Sequence, residues 1–160
     1  MRPIVSVFGV VLACALLLAA CQPAQPTVDV AAEKAAIESV LSSYVEAVER
    51  EDLDAYAANV AHDDSMVNFG AFGGPIVGWE ALKNVMAGQN EGLSDIRIAQ
   101  HDVRVSVSTA GDLAWATSLW DFTAMMGDQP VDLDVRCTWV LEKNQDGWRI
   151  VHFHKSVAAG

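Results

Sequence analysis

The chain has 160 residues, with 10 Lys and Arg against 21 Asp and Glu and a formal net charge of −11. That balance leaves no basic patch for phosphate backbones, so nucleic-acid binding is not expected, and the acidity argues mainly for solubility. Hydrophobic residues make up 52% of the chain and charged ones 19%, enough to build one domain with a real core.

The first segment is not part of that core. Met1-Arg2 precedes an apolar run from Ile4 to Ala20, broken only by Ser6 and Gly9. A basic start, an apolar middle and small residues before a cut are the parts of a secretory signal. At about 17 residues the run is also near the lower limit for a retained transmembrane helix. Leu18-Ala19-Ala20-Cys21 resembles the bacterial lipoprotein box. The resemblance implies that Cys21 becomes the lipidated first residue of the mature chain. Gln22 follows, where an Asp would point to inner-membrane retention, so the implied address is the outer membrane, facing the periplasm. The expected organisation is a signal peptide over 1–20, lipidated cysteine and tether over 21–29, and a folded domain over 30–158. Loss of Arg2 with the leader makes the mature chain one charge more acidic still.

The cysteines follow from this. Cys14 leaves with the signal and Cys21 carries lipid, so Cys137 is left alone, with no intramolecular disulfide and no cysteine metal site. It reads as a small buried apolar residue, with a reactive thiol as the alternative.

Asp29 is placed to cap a first helix in which Ile37, Val40, Leu41, Tyr44, Val45 and Val48 recur at helical spacing. Asp52 is placed to cap a shorter second helix carrying Leu53, Tyr56, Ala57 and Val60. Met66 to Phe69 reads as a short strand, Gly70 to Pro75 as turn material, and Ile76-Val77 as a second short strand. Gly78 precedes a third helix with Trp79, Leu82, Val85 and Met86 in register. Four long strands follow. Ile96 and Ile98, then Val103, Val105 and Val107, alternate with a change of parity near Gln100-His101, which predicts a bulge. Short turns at Ala110-Gly111-Asp112, Gly127 to Pro130 and Asn144 to Gly147 predict an antiparallel meander.

Helices followed by a long antiparallel run is an α+β order. The helices can cover only one sheet face. Trp115, Leu119, Ile150 and other large strand residues cannot all fit there, which predicts a far face that meets a partner. The final strand, Trp148 to Val157, is apolar or aromatic on both faces. Strict alternation puts Arg149, Val151, Phe153 and Lys155 on one side and Trp148, Ile150, His152, His154 and Ser156 on the other.

From about residue 30 to 158 the chain resembles the nuclear-transport-factor-2-like superfamily, and within it the SnoaL-like group. The segment Asp146-Gly147-Trp148-Arg149-Ile150-Val151-His152-Phe153-His154-Lys155-Ser156 is most similar to the end of the calcium/calmodulin-dependent kinase association domain. Tyr44, Gly78-Trp79 and Gly111-Asp112-Leu113-Ala114-Trp115-Ala116 support it. The resemblance implies a cone: a curved antiparallel sheet wrapped around the N-terminal helices, with a pocket in its wide end and a homodimer or larger ring through the outer sheet face. It also implies that Phe153 and Lys155 point into the pocket, with Trp120 and Trp139 lining it, Cys137 and Phe122 nearby, Tyr44 at its mouth or side, and Phe69 at the place of the ketosteroid isomerases' aspartate base. Two matching positions that are basic in the kinase domain are Trp120 and Trp139 here. The cavity is therefore expected to be aromatic, with Lys155 as its charged group and no cofactor.

Such a pocket suits a small, partly apolar ligand carrying a carboxylate or enolate oxygen. The aromatics can equally be a plain filling of the cone. His152 and His154, about 6–7 Å apart along a strand, can share a metal only with a third ligand such as His101 or a carboxylate, and the resemblance implies a structural role for them instead. Asp63 and Asp64 read as a solvated pair at a helix end; Asp121, Asp132 and Asp134 fall on the outer parity. Three readings stay open: a lipid-anchored small-molecule-binding domain, a cofactor-free isomerase, dehydratase or cyclase with Tyr44 and His101 as acid–base groups, and an assembly domain with a vestigial pocket.

Overall fold

The computed structural model describes residues 27–158; the expected leader, the expected lipidation site Cys21 and most of the expected tether lie outside the described residues. Among the described residues no helix is long and apolar enough to cross a membrane.

Asp29 opens the first helix, α1 (Val30–Glu49). Its carboxylate accepts the Ala31 and Ala32 N–H groups, each at 3.1 Å, which satisfies donors that a helix start otherwise leaves unpaired. Ile37, Leu41, Tyr44, Val45 and Val48 form the buried stripe, with Val40 half-buried at its edge. Asp52 caps α2 (Leu53–Ala57) in the same way. In α3 (Trp79–Gly92) Leu82 and Met86 are buried, Trp79 stacks on His62 at 4.1 Å between ring centres, and Val85 stays exposed. Gly78 enters α3 at φ 81°, and a Cβ there would sit 3.1 Å from the Asp64 carbonyl oxygen, so this turn requires glycine.

Strands β1 (Val67–Phe69), β2 (Pro75–Val77), β3 (Ser94–Val107), β4 (Leu113–Met126), β5 (Gln129–Asn144) and β6 (Gly147–Val157) make one six-stranded sheet in the order β2-β1-β6-β5-β4-β3. β3 to β6 form the antiparallel meander that the short turns dictate. β1 lies parallel to β6, bridged at Phe69 and His154, a pairing that no hairpin turn announces. The bulge expected near Gln100-His101 is present as a register shift between His101 and Arg104, with Asp102 at φ 52°. The sheet curves over the helices in the cone that the resemblance implies.

β6 departs from strict alternation. Val140 pairs with His152 but Leu141 with Ile150, so Val151 is an extra residue and parity reverses across it. Trp148, Ile150 and Phe153 all face the core, at 3%, 0% and 2% exposure. The expected grouping of Trp148 and Ile150 with the histidines is therefore corrected by this bulge.

One geometric mismatch positions the site. The 20 residues of α1 span about 30 Å at 1.5 Å per residue. The 14 to 16 residues of β4 and β5 span about 45–54 Å. The helix starts at the β5–β6 hairpin, where Glu33 accepts from Lys143 Nζ at 2.6 Å and from Trp148 Nε1 at 2.8 Å. It ends where Glu49 accepts the Ile98 N–H at 2.7 Å. The far end of the concave face is left without helical cover.

The hydrogen bond from Lys143, then that from Trp148, holds the Glu33 carboxyl below its usual value of 4.5. The unfolded chain thus binds this proton more readily than the folded one. The clamp's stabilisation is complete above the unfolded value and is lost as pH falls through the folded one. Glu33→Gln is expected to lower Tm at pH 7, and the gap to the parent chain should shrink once pH falls below 4.5. A gap that stays constant in circular-dichroism melts from pH 7 to pH 3 would mean that the charge of Glu33 contributes nothing.

Candidate functional site

The uncovered end of the sheet is a cavity of about 530 Å³. Its walls come from the end of α1, the β1–β2 loop, the end of α3, the second half of β4, the first half of β5 and the end of β6. Leu93, Phe122, Met126, Val131, Leu133 and Phe153 make the lining mainly apolar. Lys155 is the one ionisable side chain in that lining among the described residues.

Lys155 as a whole is half-buried, but its ammonium end sits among rings. Nζ lies 4.6 Å from the ring centres of Trp120 and Phe153, 5.0 Å from Tyr44 and 5.8 Å from Trp139. It donates to Tyr44 Oη at 2.9 Å, and Tyr44 Oη is 3.2 Å from Tyr56 Oη. No carboxylate among the described residues forms an ion pair with it. The ring faces attract the cation but do not replace its water, and burial lowers the Lys155 pKa to about 8. Burial raises the Tyr44 and Tyr56 phenols, so both remain neutral hydroxyls at physiological pH. Tyr44 accepts from Lys155 and can pass its own hydrogen to Tyr56. Cys137, opposite Lys155 across the β5–β6 ladder, is pushed up to about 11 by burial, which suits a small apolar residue rather than a reactive thiol.

Two further cavity residues carry unpaired donors. Trp120 Nε1 and Gln89 Nε2 are buried without a hydrogen-bond partner. Trp120 and Gln89 thus offer hydrogens that no protein acceptor takes.

The structure brings Tyr44, Trp120, Phe153 and Lys155 together. Trp139 belongs to the same ring cluster, 5.1 Å from Tyr44 and 5.6 Å from Trp120, but it is 0% exposed and its Nε1 donates to Ser118 Oγ at 3.0 Å. Trp139 and Tyr44, which is also 0% exposed and outside the lining, are thus the floor behind the lining, a correction to their expected places at the surface and mouth of the pocket. Phe69 is a second correction. It lies on the outer face, 39% exposed, its ring against His152 and His154 at 5.9 and 5.5 Å. The inward residue of β1 is Asn68, 0% exposed, whose Oδ1 accepts the Phe153 N–H at 2.8 Å.

His101 is the third correction. It stands exposed on the outer face between Asp121 at 3.2 Å and Asp102 at 3.3 Å, which raise its pKa, Asp121 most, and it cannot act with Tyr44. Asp121, Asp132 and Asp134 are exposed, on the outer parity expected of them. Asp63 is also exposed and is held low by Ser65. Among the described residues no group of three His, Cys, Asp or Glu side chains is placed to hold a metal ion.

The wide-end residues Gln89, Leu93, Met126, Val131 and Leu133 were not singled out in the sequence. A usable signal existed on β5, where the parity of Trp139 and Cys137 continues through Val135, Leu133 and Val131.

The model of the SnoaL-like domain family matches residues 37–160. No curated protein matches the chain. Solved structures with the same fold include a nuclear-transport-factor-2-like superfamily protein from Salmonella enterica serovar Typhimurium, 23% identical with TM-score 0.74 over 81% of this chain and 94% of that one. A ketosteroid isomerase-like protein from Erwinia carotovora atroseptica is 24% identical with TM-score 0.66, over 79% and 96%. A protein from Thiobacillus denitrificans, provisionally described as a calcium/calmodulin-dependent protein kinase type II association domain, is 21% identical with TM-score 0.64, over 86% and 100%. At these identities the likeness is one of fold.

Proposed function

From the premise that this chain belongs to the SnoaL-like domain family, we propose that it is a small-molecule-binding domain whose ligand is apolar and carries an anionic oxygen, a carboxylate or enolate. The observation that carries the proposal is Lys155, a side chain that lines a cavity of about 530 Å³ and whose ammonium has no carboxylate partner among the described residues. A buried charge is normally paired or neutralised. A ligand anion would supply the missing partner, and the apolar walls would supply most of the contact area. The unpaired Trp120 and Gln89 donors support an acceptor-rich guest.

An isomerase, dehydratase or cyclase working by proton transfer next to a carbonyl is the second reading in the same family. The lining offers it no carboxylate and no imidazole among the described residues, and His101 stands on the other face. Binding is therefore preferred over that chemistry, and an open cavity argues against a purely vestigial pocket.

The proposal keeps Cys21 as a lipid anchor in the outer membrane facing the periplasm, and a homodimer through the outer sheet face. Supporting the dimer, Leu113, Trp115 and Leu119 on that face are 40%, 51% and 38% exposed.

The test is native mass spectrometry of the chain begun at Gln22, followed by titration with apolar carboxylates and amines of matched shape, read by tryptophan fluorescence. A dimer that retains a co-purified acid, and carboxylates binding about tenfold or more tighter than the amines, are the expected results. Equal affinity for both charges would sink the anion-binding reading.

A further inference from the structure

We propose that the Lys155 amine also captures apolar aldehydes covalently, as a Schiff base formed inside this cavity. The proposal shares with the binding reading only the premise that the cavity admits an apolar guest. It does not need the guest to be an anion.

The geometry supplies what the reaction needs. Lys155 lines the cavity, and its Nζ is held by a neutral hydroxyl at 2.9 Å with no carboxylate beside it to keep it protonated. The groups that face it are Tyr44 from α1, with Tyr56 of α2 behind, Cys137 from β5, and the rings of Trp120 and Phe153 from β4 and β6. None of them is charged at neutral pH. A desolvated lysine in an apolar pocket is a better nucleophile than a solvated one, because a larger share of it is the free amine. Burial acts in that direction here. The other lysines differ: Lys34 and Lys83 are exposed, and Lys143 is engaged by Glu33.

The step balances without a cofactor or redox partner. The ammonium first releases one proton to solvent. The free Nζ attacks the carbonyl carbon, forming the C–N bond, and the C=O π pair moves to oxygen. Nζ then sheds one proton to solvent and that oxygen takes one from solvent, which gives the neutral carbinolamine. The carbinolamine oxygen then takes one proton from solvent and leaves as water, while the nitrogen lone pair closes the C=N bond. Ammonium and aldehyde become iminium and water, with no net proton change.

The experiment uses cinnamaldehyde as the probe. The purified chain is incubated with it across pH 6–10, reduced with sodium borohydride, and mapped by trypsin digestion and mass spectrometry. The expected result is one dominant adduct on Lys155, seen as the uncleaved peptide Ile150–Gly160. The initial rate should rise about tenfold per pH unit below pH 8 and level off above it, where a freely solvated lysine would keep rising to about 10.4. Cinnamate should protect, and Lys155→Arg should abolish the adduct; the mapping on the parent chain stands even where that variant folds poorly. An adduct spread equally over Lys34 and Lys83, or absent from Lys155 while cinnamate still quenches tryptophan fluorescence, overturns Schiff-base capture and leaves the binding reading standing. Loss of both signals overturns both.

Discussion

Replacing Lys155 by methionine is expected to weaken binding of an apolar carboxylate about 10- to 100-fold, because a hydrogen bond to a charged group contributes about 1.5–3 kcal/mol. The same change should leave the domain as stable as before or more stable. Methionine fits the slot left by the lysine stem among Trp120, Phe153 and Tyr44 and carries no charge to desolvate. Tyr44 Oη keeps Tyr56 Oη as a partner, so no hydroxyl is orphaned. Affinity lost without a fall in Tm is the mark of a group kept for a ligand at some cost to the fold. Isothermal titration and thermal melts on the same samples read both. Unchanged affinity would mean that the rings alone hold the ligand; a collapse in Tm would make Lys155 a structural residue.

The pH dependence of the parent chain gives an independent check. Burial places the free Lys155 pKa at about 8. An anion binds the protonated form, so affinity should be flat below that value and fall as pH rises through it, about tenfold per unit. Schiff-base capture runs on the other form and rises over the same range. One lysine thus produces two opposed profiles, and a single pH series separates non-covalent binding from covalent capture.

Much of this site was legible in the sequence because alternation is a strong signal on a long strand. In β4, Ala114, Ala116, Ser118, Trp120 and Phe122 are all buried while Trp115 and Leu119 are exposed, as a two-residue period demands. β6 defeated the same rule because it is apolar on both faces, so a bulge at Val151 leaves no trace in the pattern. Phe69 lies in a strand of three residues, too short for a period to decide its direction. What settles it is Asn68, whose amide oxygen takes the Phe153 N–H, a contact between segments 85 residues apart. His101 was an acid–base candidate by residue type alone; it continues the exposed parity of Arg97 and Ala99, opposite the buried Ile96 and Ile98. The cavity itself depends on where α1 stops relative to the strands, a tertiary length mismatch rather than a local motif.

Trp139→Ala is expected to be the most damaging single change at the site, and it should act on stability rather than on recognition. The indole is 0% exposed and packs on Tyr44, Trp120 and Phe153 at 5.1, 5.6 and 6.1 Å between ring centres. Truncating such a ring removes its transfer free energy and leaves a cavity, about 3–5 kcal/mol in all. For a domain of this size that is a fall in Tm of about 10–20 °C. Trp139→Phe, which keeps most of the volume but loses the bond to Ser118 Oγ, should cost less. Below its lowered melting point, Trp139→Ala should still bind a carboxylate, because Lys155 and the lining are in place; any loss should be far smaller than for Lys155→Met. The two variants therefore separate floor from lining. If Trp139→Ala instead melts like the parent and no longer binds, the indole touches the ligand, and the cavity reaches deeper toward α1 than the packing of its rings indicates.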